Sequence, residues 1–274
     1  MKNIVILYHA DCSDGIAAAW ATWKYFGENA SYIPIGNQVE PPKGLIDKEI
    51  YTVDFAFPKD IARKIIKSNK RLTAIDHHIS NKSAIAITYK PLYALKHSGA
   101  TLAWKYFHGN KKTPIYLRYI EDADLWKLKM PHAKEFVAAR QLPEKEIQTI
   151  DDLVKKFESA NFRKKYFAFG RVLLKYQKIL IYNILNNKEE VKIHGKKALV
   201  VNSPVFIDQL ATIMYQKVPV AIIWHHKKNS IKVSLRSNGT VDVSKIASKY
   251  GGGGHKSASA FKLPKNSKLP WLKK

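Results

Sequence analysis

Four short stretches hold most of the side chains that could act on a substrate. His9, Asp11 and Asp14 fall in HADCSDG and Asp54 in VDF. Asp76, His77 and His78 fall in IDHHIS, and Glu121, Asp122 and Asp124 in EDADLW. Carboxylates and imidazoles without thiolates suit hard or borderline divalent ions such as Mn²⁺ and Mg²⁺. Two such ions about 3.5–4 Å apart need one shared carboxylate and separate outer ligands; the pair clamps a phosphoryl group and lowers the pKa of a coordinated water. Cys12 stands among these residues, but a cysteine nucleophile needs a positioned base. His9 is better used on a metal, so Cys12 reads as a small buried filler.

The elements that must position these residues follow from the apolar patterning. NIVILY (3–8), SYIPIG (31–36), EIYTVDFAF (49–57) and RLTAIDHH (71–78) read as strands. Residues 15–27, stopping at Gly27, and 59–69, with Ile61, Ile65 and Ile66 inward, read as helices. So do residues 98–108, with Ser98 as N-cap. Strands and helices alternate, which argues for a parallel, doubly wound α/β sheet. Ligands of such sheets bind outside the carboxyl ends of the strands. The first strand runs into His9–Gly15, the third into Asp54 and the fourth into Asp76–His78; YIEDADLW follows a further apolar run. Asp54, central in the sheet, is the candidate shared carboxylate. Competing readings are that Asp11 and Asp14 cap the helix at 15–27, that Asp54 is a plain strand-end residue, and that Glu121 is a solvated helix residue.

A mostly helical stretch spans about 112–188. Strands at 196–203, 218–227 and 230–237, with a helix within 203–217, then imply a smaller C-terminal α/β domain. The expected boundaries are 1–160 for the metal-binding domain, 161–190 for a connecting helix and 191–274 for a substrate-binding domain. Within the last, GGGGHKSASAF (251–261) strips side chains from Gly252, Gly253 and Gly254, so that amides could approach a ligand closely. Leading into a helix start, such amides would form an anion nest, with His255 and Lys256 adding donors. Arg236, ending a strand, could grip a phosphate with two parallel hydrogen bonds.

The bulk composition agrees. The chain has 274 residues, 46% of them hydrophobic, as in globular proteins of one large or two ordinary domains. No apolar run approaches the roughly 20 residues that span a bilayer. The N-terminal MKNIVILYHADCSDG resembles the start of a signal peptide, but Asp11 and Asp14 follow at once and no small-residue cleavage site appears; it reads as a first buried strand. One cysteine forbids an intramolecular disulfide, so a cytoplasmic location is expected. Lys and Arg outnumber Asp and Glu by 47 to 22, a net +25 that attracts polyanions. Only seven of the 47 are arginine; the rest are lysine spread along the chain, a usage that also serves solubility.

With HADCSDG, VDF, DHH and EDADLW followed in order by SLRSNGTVDVSKIASKYGGGGHKSASAF, the whole chain resembles the DHH phosphoesterase superfamily, in the branch with the glycine-rich DHH-associated C-terminal domain. Within it the chain looks most like small oligoribonuclease-type enzymes. The resemblance implies a Mn²⁺-dependent phosphodiesterase, with Mg²⁺ as an alternative ion, that releases nucleoside monophosphates from one end of short RNA or single-stranded DNA. It implies that His9, Asp11 and Asp54 hold one metal and that Asp14, Asp54, His77 and Asp122 hold the other. His78 would contact the scissile phosphate, and Asp76 would orient the neighbouring loop. Arg236, Gly252, Gly253, Gly254 and His255 would seat the terminal nucleotide. Two departures stand out. Asp11 and Asp14 are separated by one more residue than the H-x-D-x-D-G spacing of related enzymes, and Ala260 replaces a glycine. Asp122 is preferred to Asp124 from its place after the apolar run. A cyclic or linear dinucleotide or phosphoadenosine phosphate as substrate, or nucleic-acid binding without catalysis, are the alternatives; oligomeric state is open, a homodimer included.

Overall fold

The structure, a computed structural model, describes residues 1–10, 12–36, 40–140 and 147–271. Asp11 lies outside them. The chain divides into two units, Met1–Leu174 and Lys175–Lys274.

A strand covered on both faces reads as an unbroken apolar run, and IVILYH forms such a strand, β1 (Ile4–His9). Its Ile6 and Tyr8 enter one core cluster and Val5 and Leu7 another, because successive side chains point to opposite faces. α1 (Ser13–Phe26), β2 (Ala30–Ile35), β3 (Glu49–Val53), α2 (Lys59–Ser68), β4 (Arg71–Asp76), the short α3 (Lys82–Ile85) and β5 (Leu92–Tyr93) follow. The five strands are all parallel, in the order β2-β1-β3-β4-β5. α2 covers one face through Ala62 and Ile65; α1 and α4 (Gly99–His108) cover the other. The sheet is therefore doubly wound. The chain leaves β1 for β2 and then places β3 on the opposite side of β1. β1 and β3 flank the reversal of strand order, the switch point at which such sheets bind ligands.

α5 (Ile115–Asp124), α6 (Ala133–Ala139), α7 (Ile147–Phe157) and α8 (Ala160–Leu185) complete the helical part. Fully buried Phe157 gathers the rings of Tyr116, Tyr119, Phe136 and Tyr166 at centroid distances of 5.1–5.6 Å. Two of these rings belong to α5, so this cluster fixes the helix on which EDADLW ends. That segment is not a strand edge like the other three: Glu121–Asp124 form the last turn of α5.

The second unit is a mixed six-stranded sheet, built from β6 (Glu189–Ile193), β7 (Lys196–Asn202), α9 (Ile207–Met214), β8 (Val220–Lys227), β9 (Ser230–Ser237), α10 (Val243–Ser248), β10 (Gly253–His255) and β11 (Ala258–Pro264). The strand order is β10-β11-β9-β8-β7-β6, with β7 and β8 parallel and the other neighbours antiparallel. The expectation that the glycine run opens a helix does not hold. It leaves α10 and becomes β10, paired with β11. A Cβ on Gly252 would lie 2.4 Å from Phe261 Cβ, and one on Gly254 2.5 Å from the Ala258 carbonyl oxygen. The close approach of two backbones, not a helix N-terminus, excludes side chains there. Among the described residues no helix is long and apolar enough to cross a membrane.

The face of α1 against α4 is held by stacked Trp20 and Trp104, 5.5 Å apart, and by buried Asp151 of α7. Asp151 accepts from Trp20 Nε1 at 3.0 Å and pairs with Lys24 at 3.2 Å and Lys155 at 2.6 Å. Burial pushes its carboxyl up, but hydrogen bonds from Lys155, Trp20 and Lys24 prevail and hold it below its ordinary value. Asp151→Ala should cost about 1–3 kcal/mol at neutral pH in urea denaturation, because the indole N–H loses its acceptor. A depressed carboxyl contributes stability above its unfolded pKa of about 3.9 and loses it as pH falls through the folded value. The gap between wild type and variant should therefore narrow below about pH 4.

Candidate metal centre

Asp54 follows β3 directly, in the left-handed region at φ 62°, which aspartate tolerates better than bulkier residues. Its N–H still donates to Ile75 on the neighbouring strand, at 3.0 Å. Its carboxylate is 1% exposed. Oδ2 lies 3.5 Å from His9 Nδ1, at the end of β1, and Oδ1 lies 3.4 Å from His77 Nε2, after β4. These are ion-pair separations; neither oxygen has a hydrogen-bond donor.

His77 Nε2 also lies 3.9 Å from Asp14 Oδ2 and 3.5 Å from Asp124 Oδ2. Asp14 does cap a helix, though not the one it begins. Its Oδ2 accepts from Gly99 N at 2.6 Å and its Oδ1 from Ala100 N at 3.0 Å, at the start of α4. Gly99 is required by contact as well, since a Cβ there would sit 2.5 Å from Asp54 Cβ. Ser98 caps α4 as expected, accepting from Thr101 N at 3.4 Å.

The structure does not bring Asp122 into this group. Its two oxygens accept from Lys129 N and Met130 N, both at 3.0 Å, and organise the loop after α5. Two residues on, Asp124 is turned to His77 instead. Glu121, expected in solvent, accepts from Ser98 N at 3.2 Å and from His97 Nδ1 at 3.0 Å. Asp76 is fully buried in the turn it begins: Oδ1 accepts from His77 N at 2.7 Å, His78 N at 3.2 Å and His78 Nδ1 at 2.7 Å, and Oδ2 from Asn81 Nδ2 at 2.7 Å. This contact leaves Nε2 of half-exposed His78 as its remaining ring nitrogen. Cys12 is partly rather than fully buried, within ligand reach of His9 and Asp54. In the second unit, Arg236 Nε donates to Asp208 Oδ1 at 2.9 Å, while Gly253, Gly254 and His255 lie exposed on β10 beside Gly252.

Burial dominates the electrostatics of this group. Burial first, then Asp54 and Asp124, raises the Asp14 carboxyl well above its ordinary value. Burial likewise raises Asp124. Burial also pushes Asp54 up, but the adjacent His77 and His9 imidazoles outweigh it and lower the group. The Asp76 hydrogen bond raises His78 to about 9, and burial raises the Cys12 thiol to about 11, which disfavours a thiolate. His9 Nδ1, both Asp54 oxygens, His77 Nε2 and Asp124 Oδ2 are buried without a hydrogen-bond partner. Each such atom costs about 1–3 kcal/mol if left so. Ligand atoms of His9, Cys12 and Asp54 lie within 4.8 Å of one another, as do those of Asp14, His77 and Asp124. Divalent cations fit this donor set.

Sequence reasoning missed the space that Gly99 leaves for Asp54, and it gave no role to Trp126, which EDADLW contains. Trp126 is 82% exposed two residues past Asp124, at φ 52°, where bulky residues are rare. Adding Mn²⁺ to the EDTA-treated protein at about 100 times its dissociation constant should stabilise it by about 2.7 kcal/mol and raise Tm by about 5–10 °C. Asp54→Asn should abolish that shift in differential scanning calorimetry, and Gly99→Ala should weaken it.

The DHHA1 domain model matches residues 183–274. An uncharacterized protein of Acanthamoeba polyphaga mimivirus is 30% identical over a 286-residue alignment that covers 94% of this chain and 66% of that protein, so the chain spans just under two thirds of its relative's length. Among solved structures, the pGpG-specific phosphodiesterase PggH from Vibrio cholerae aligns over 96% of this chain and 94% of its own, with TM-score 0.55 and 12% identity. RecJ from Thermus thermophilus, in complex with Mn²⁺, aligns over 95% of this chain and 49% of its own, with TM-score 0.50 and 14% identity. At these identities the likeness is one of fold.

Proposed function

We propose, from the DHHA1 domain match over residues 183–274 and the fold shared with PggH and RecJ, that the chain is a divalent-metal-dependent phosphodiesterase of the DHH superfamily. The observation that carries this reading is the buried Asp54 carboxylate, whose two oxygens have no donor and face two different histidines. We assign His9 and Asp54, with Asp11 two positions after His9 in the sequence, to one ion. Asp14, Asp54, His77 and, in place of Asp122, Asp124 are assigned to the other. Two divalent ions held there, Mn²⁺ or Mg²⁺, supply Lewis acidity to a phosphoryl group and acidify a bound water.

The chain's own groups do the rest. Asp76 fixes the His78 ring through Nδ1 at 2.7 Å, so Nε2 is the atom placed to donate to a non-bridging phosphate oxygen. Gly99 and Ala100 hold Asp14 by their N–H groups, which keeps its carboxylate from following the ligand it binds. In the DHHA1 domain, Arg236 and the backbone around Gly252, Gly253, Gly254 and His255 are assigned to substrate phosphate. Trp126 offers an exposed indole face for a base. The preferred substrate is a short oligonucleotide cut from one end to nucleoside monophosphates, in line with the net charge of +25. The fold likeness to a pGpG phosphodiesterase favours a linear dinucleotide as the second reading.

Product analysis with Mn²⁺ on a labelled RNA pentamer, pGpG, a cyclic dinucleotide and phosphoadenosine phosphate separates these substrates; turnover of the last alone would reject an oligonucleotidase. Asp54→Ala should lower kcat by about three orders of magnitude, the several kcal/mol of metal-borne stabilisation at 1.36 kcal/mol per decade. Equal activity in Asp54→Ala and wild type would sink the shared-carboxylate assignment. Trp126→Ala should raise KM about 5–150-fold, the loss of one stacked base, with kcat held within a few-fold; Trp126→Phe should recover most of it.

A further inference from the structure

We propose that a cavity between α5 and α8 binds a phosphate-bearing ligand of nucleotide size, at a site separate from the carboxylate cluster. Arginine is scarce in this chain, with seven among 47 basic residues. Yet Arg118, Arg163 and Arg171 line one cavity of about 440 Å³, with Lys164 as a fourth permanent cation. Positions 163, 164, 167 and 171 fall on one face of α8 by helical spacing, so the sequence places these charges together along one wall. Arg118 and Tyr119 supply the facing wall from α5.

No carboxylate lines the cavity among the described residues. Three touch its lining and are already engaged, Asp122 by accepting from Met130 N at 3.0 Å. Glu135 lies 3.4 Å from His132 and 3.8 Å from Arg171, and Glu158 accepts from Ile115 N at 2.8 Å. Four permanent cations against three carboxylates still leave an excess of positive charge. Arg163 donates to the carbonyls of Phe157 at 2.6 Å and Glu158 at 3.0 Å, which fixes its guanidinium in the wall. The guanidinium of exposed Arg118 makes no hydrogen bond or ion pair among the described residues, its backbone N–H alone donating to Pro114.

Three guanidiniums converging on one volume match a group with several anionic oxygens, as phosphate has, better than a single carboxylate. The volume exceeds what inorganic phosphate fills and falls in the range of small-molecule sites. Ile115, Met130 and Phe167 give the remaining wall an apolar character suited to a base or sugar. None of His9, Asp14, Asp54, His77 or Asp124 lines the cavity, so its ligand is not the group held by the buried cluster.

The test is calorimetric titration of the full chain with AMP and with a 5′-phosphorylated pentanucleotide, in EDTA so that no metal recruits phosphate. At least one probe should bind saturably and bind at least tenfold more weakly to Arg118→Gln/Lys164→Gln, with undiminished affinity for Asp54→Asn. Binding of AMP identifies a free nucleotide as the ligand, and binding of the pentanucleotide alone identifies the phosphates of a chain. Arg171→Gln, measured beside the double variant, supplies the same comparison if the latter loses its native Tm. Absence of saturable binding by both probes, equal affinity in wild type and charge-removed variants, or loss of binding in Asp54→Asn would overturn the proposal. The Asp54→Asn arm keeps this outcome separate from the fate of the phosphodiesterase reading.

Discussion

Three carboxylates, from buried Asp14 and Asp54 and partly buried Asp124, are drawn toward one imidazole nitrogen, His77 Nε2. Buried like charges raise one another's free energy, and burial alone disfavours each ionised form. Much of the first unit can be understood as the framework that holds them there regardless. β1, β3 and β4 end side by side because the sheet reverses its order between β1 and β3. α4 begins where Asp14 can take two of its N–H groups. A glycine at the head of α4 leaves room for the Asp54 side chain. Divalent cations held there would convert the same arrangement from a local cost into a favourable one, by the ordinary logic that a binding site is less stable without its ligand than the surrounding fold.

Two readings of one residue meet at Asp14. An aspartate near a helix N-terminus invites a capping role, and an aspartate beside two histidines invites a ligand role. In the structure it accepts from the first N–H groups of α4, 85 and 86 residues away in sequence, while its Oδ2 stays within 4 Å of His77 Nε2. The N–H groups at the start of α4 offset part of the burial that raises this carboxyl. The cap is tertiary rather than local.

The parallel sheet was readable from sequence because strands buried on both faces appear as apolar runs, and because polar residues immediately after such runs mark the carboxyl edge. The strand ends that carry His9, Asp54 and His77 were located this way. The fourth segment resisted the method because it lies on a helix. Residues two apart on a helix point in widely different directions, so the choice between Asp122 and Asp124 depends on where α5 sits, which Phe157 and its surrounding rings decide. The glycine run was misjudged for a related reason. Consecutive glycines announce a close approach of backbone but not the identity of the approaching group, here the β11 strand rather than an anion at a helix start. The edge strands β6 and β10 were not anticipated, since EEVKI is mostly polar and GGH has no side-chain pattern to read.

α5 carries Arg118 and Tyr119 near its beginning and Asp124 at its end, a span of about 9 Å of continuous helix. Such a rod does not bend appreciably over less than two turns. Any occupant of the arginine-lined cavity that shifts it carries the Asp124 carboxylate along. Thermodynamic reciprocity then sets the terms: whatever factor the cavity's occupant applies to cation affinity, the cation must apply in return to the occupant.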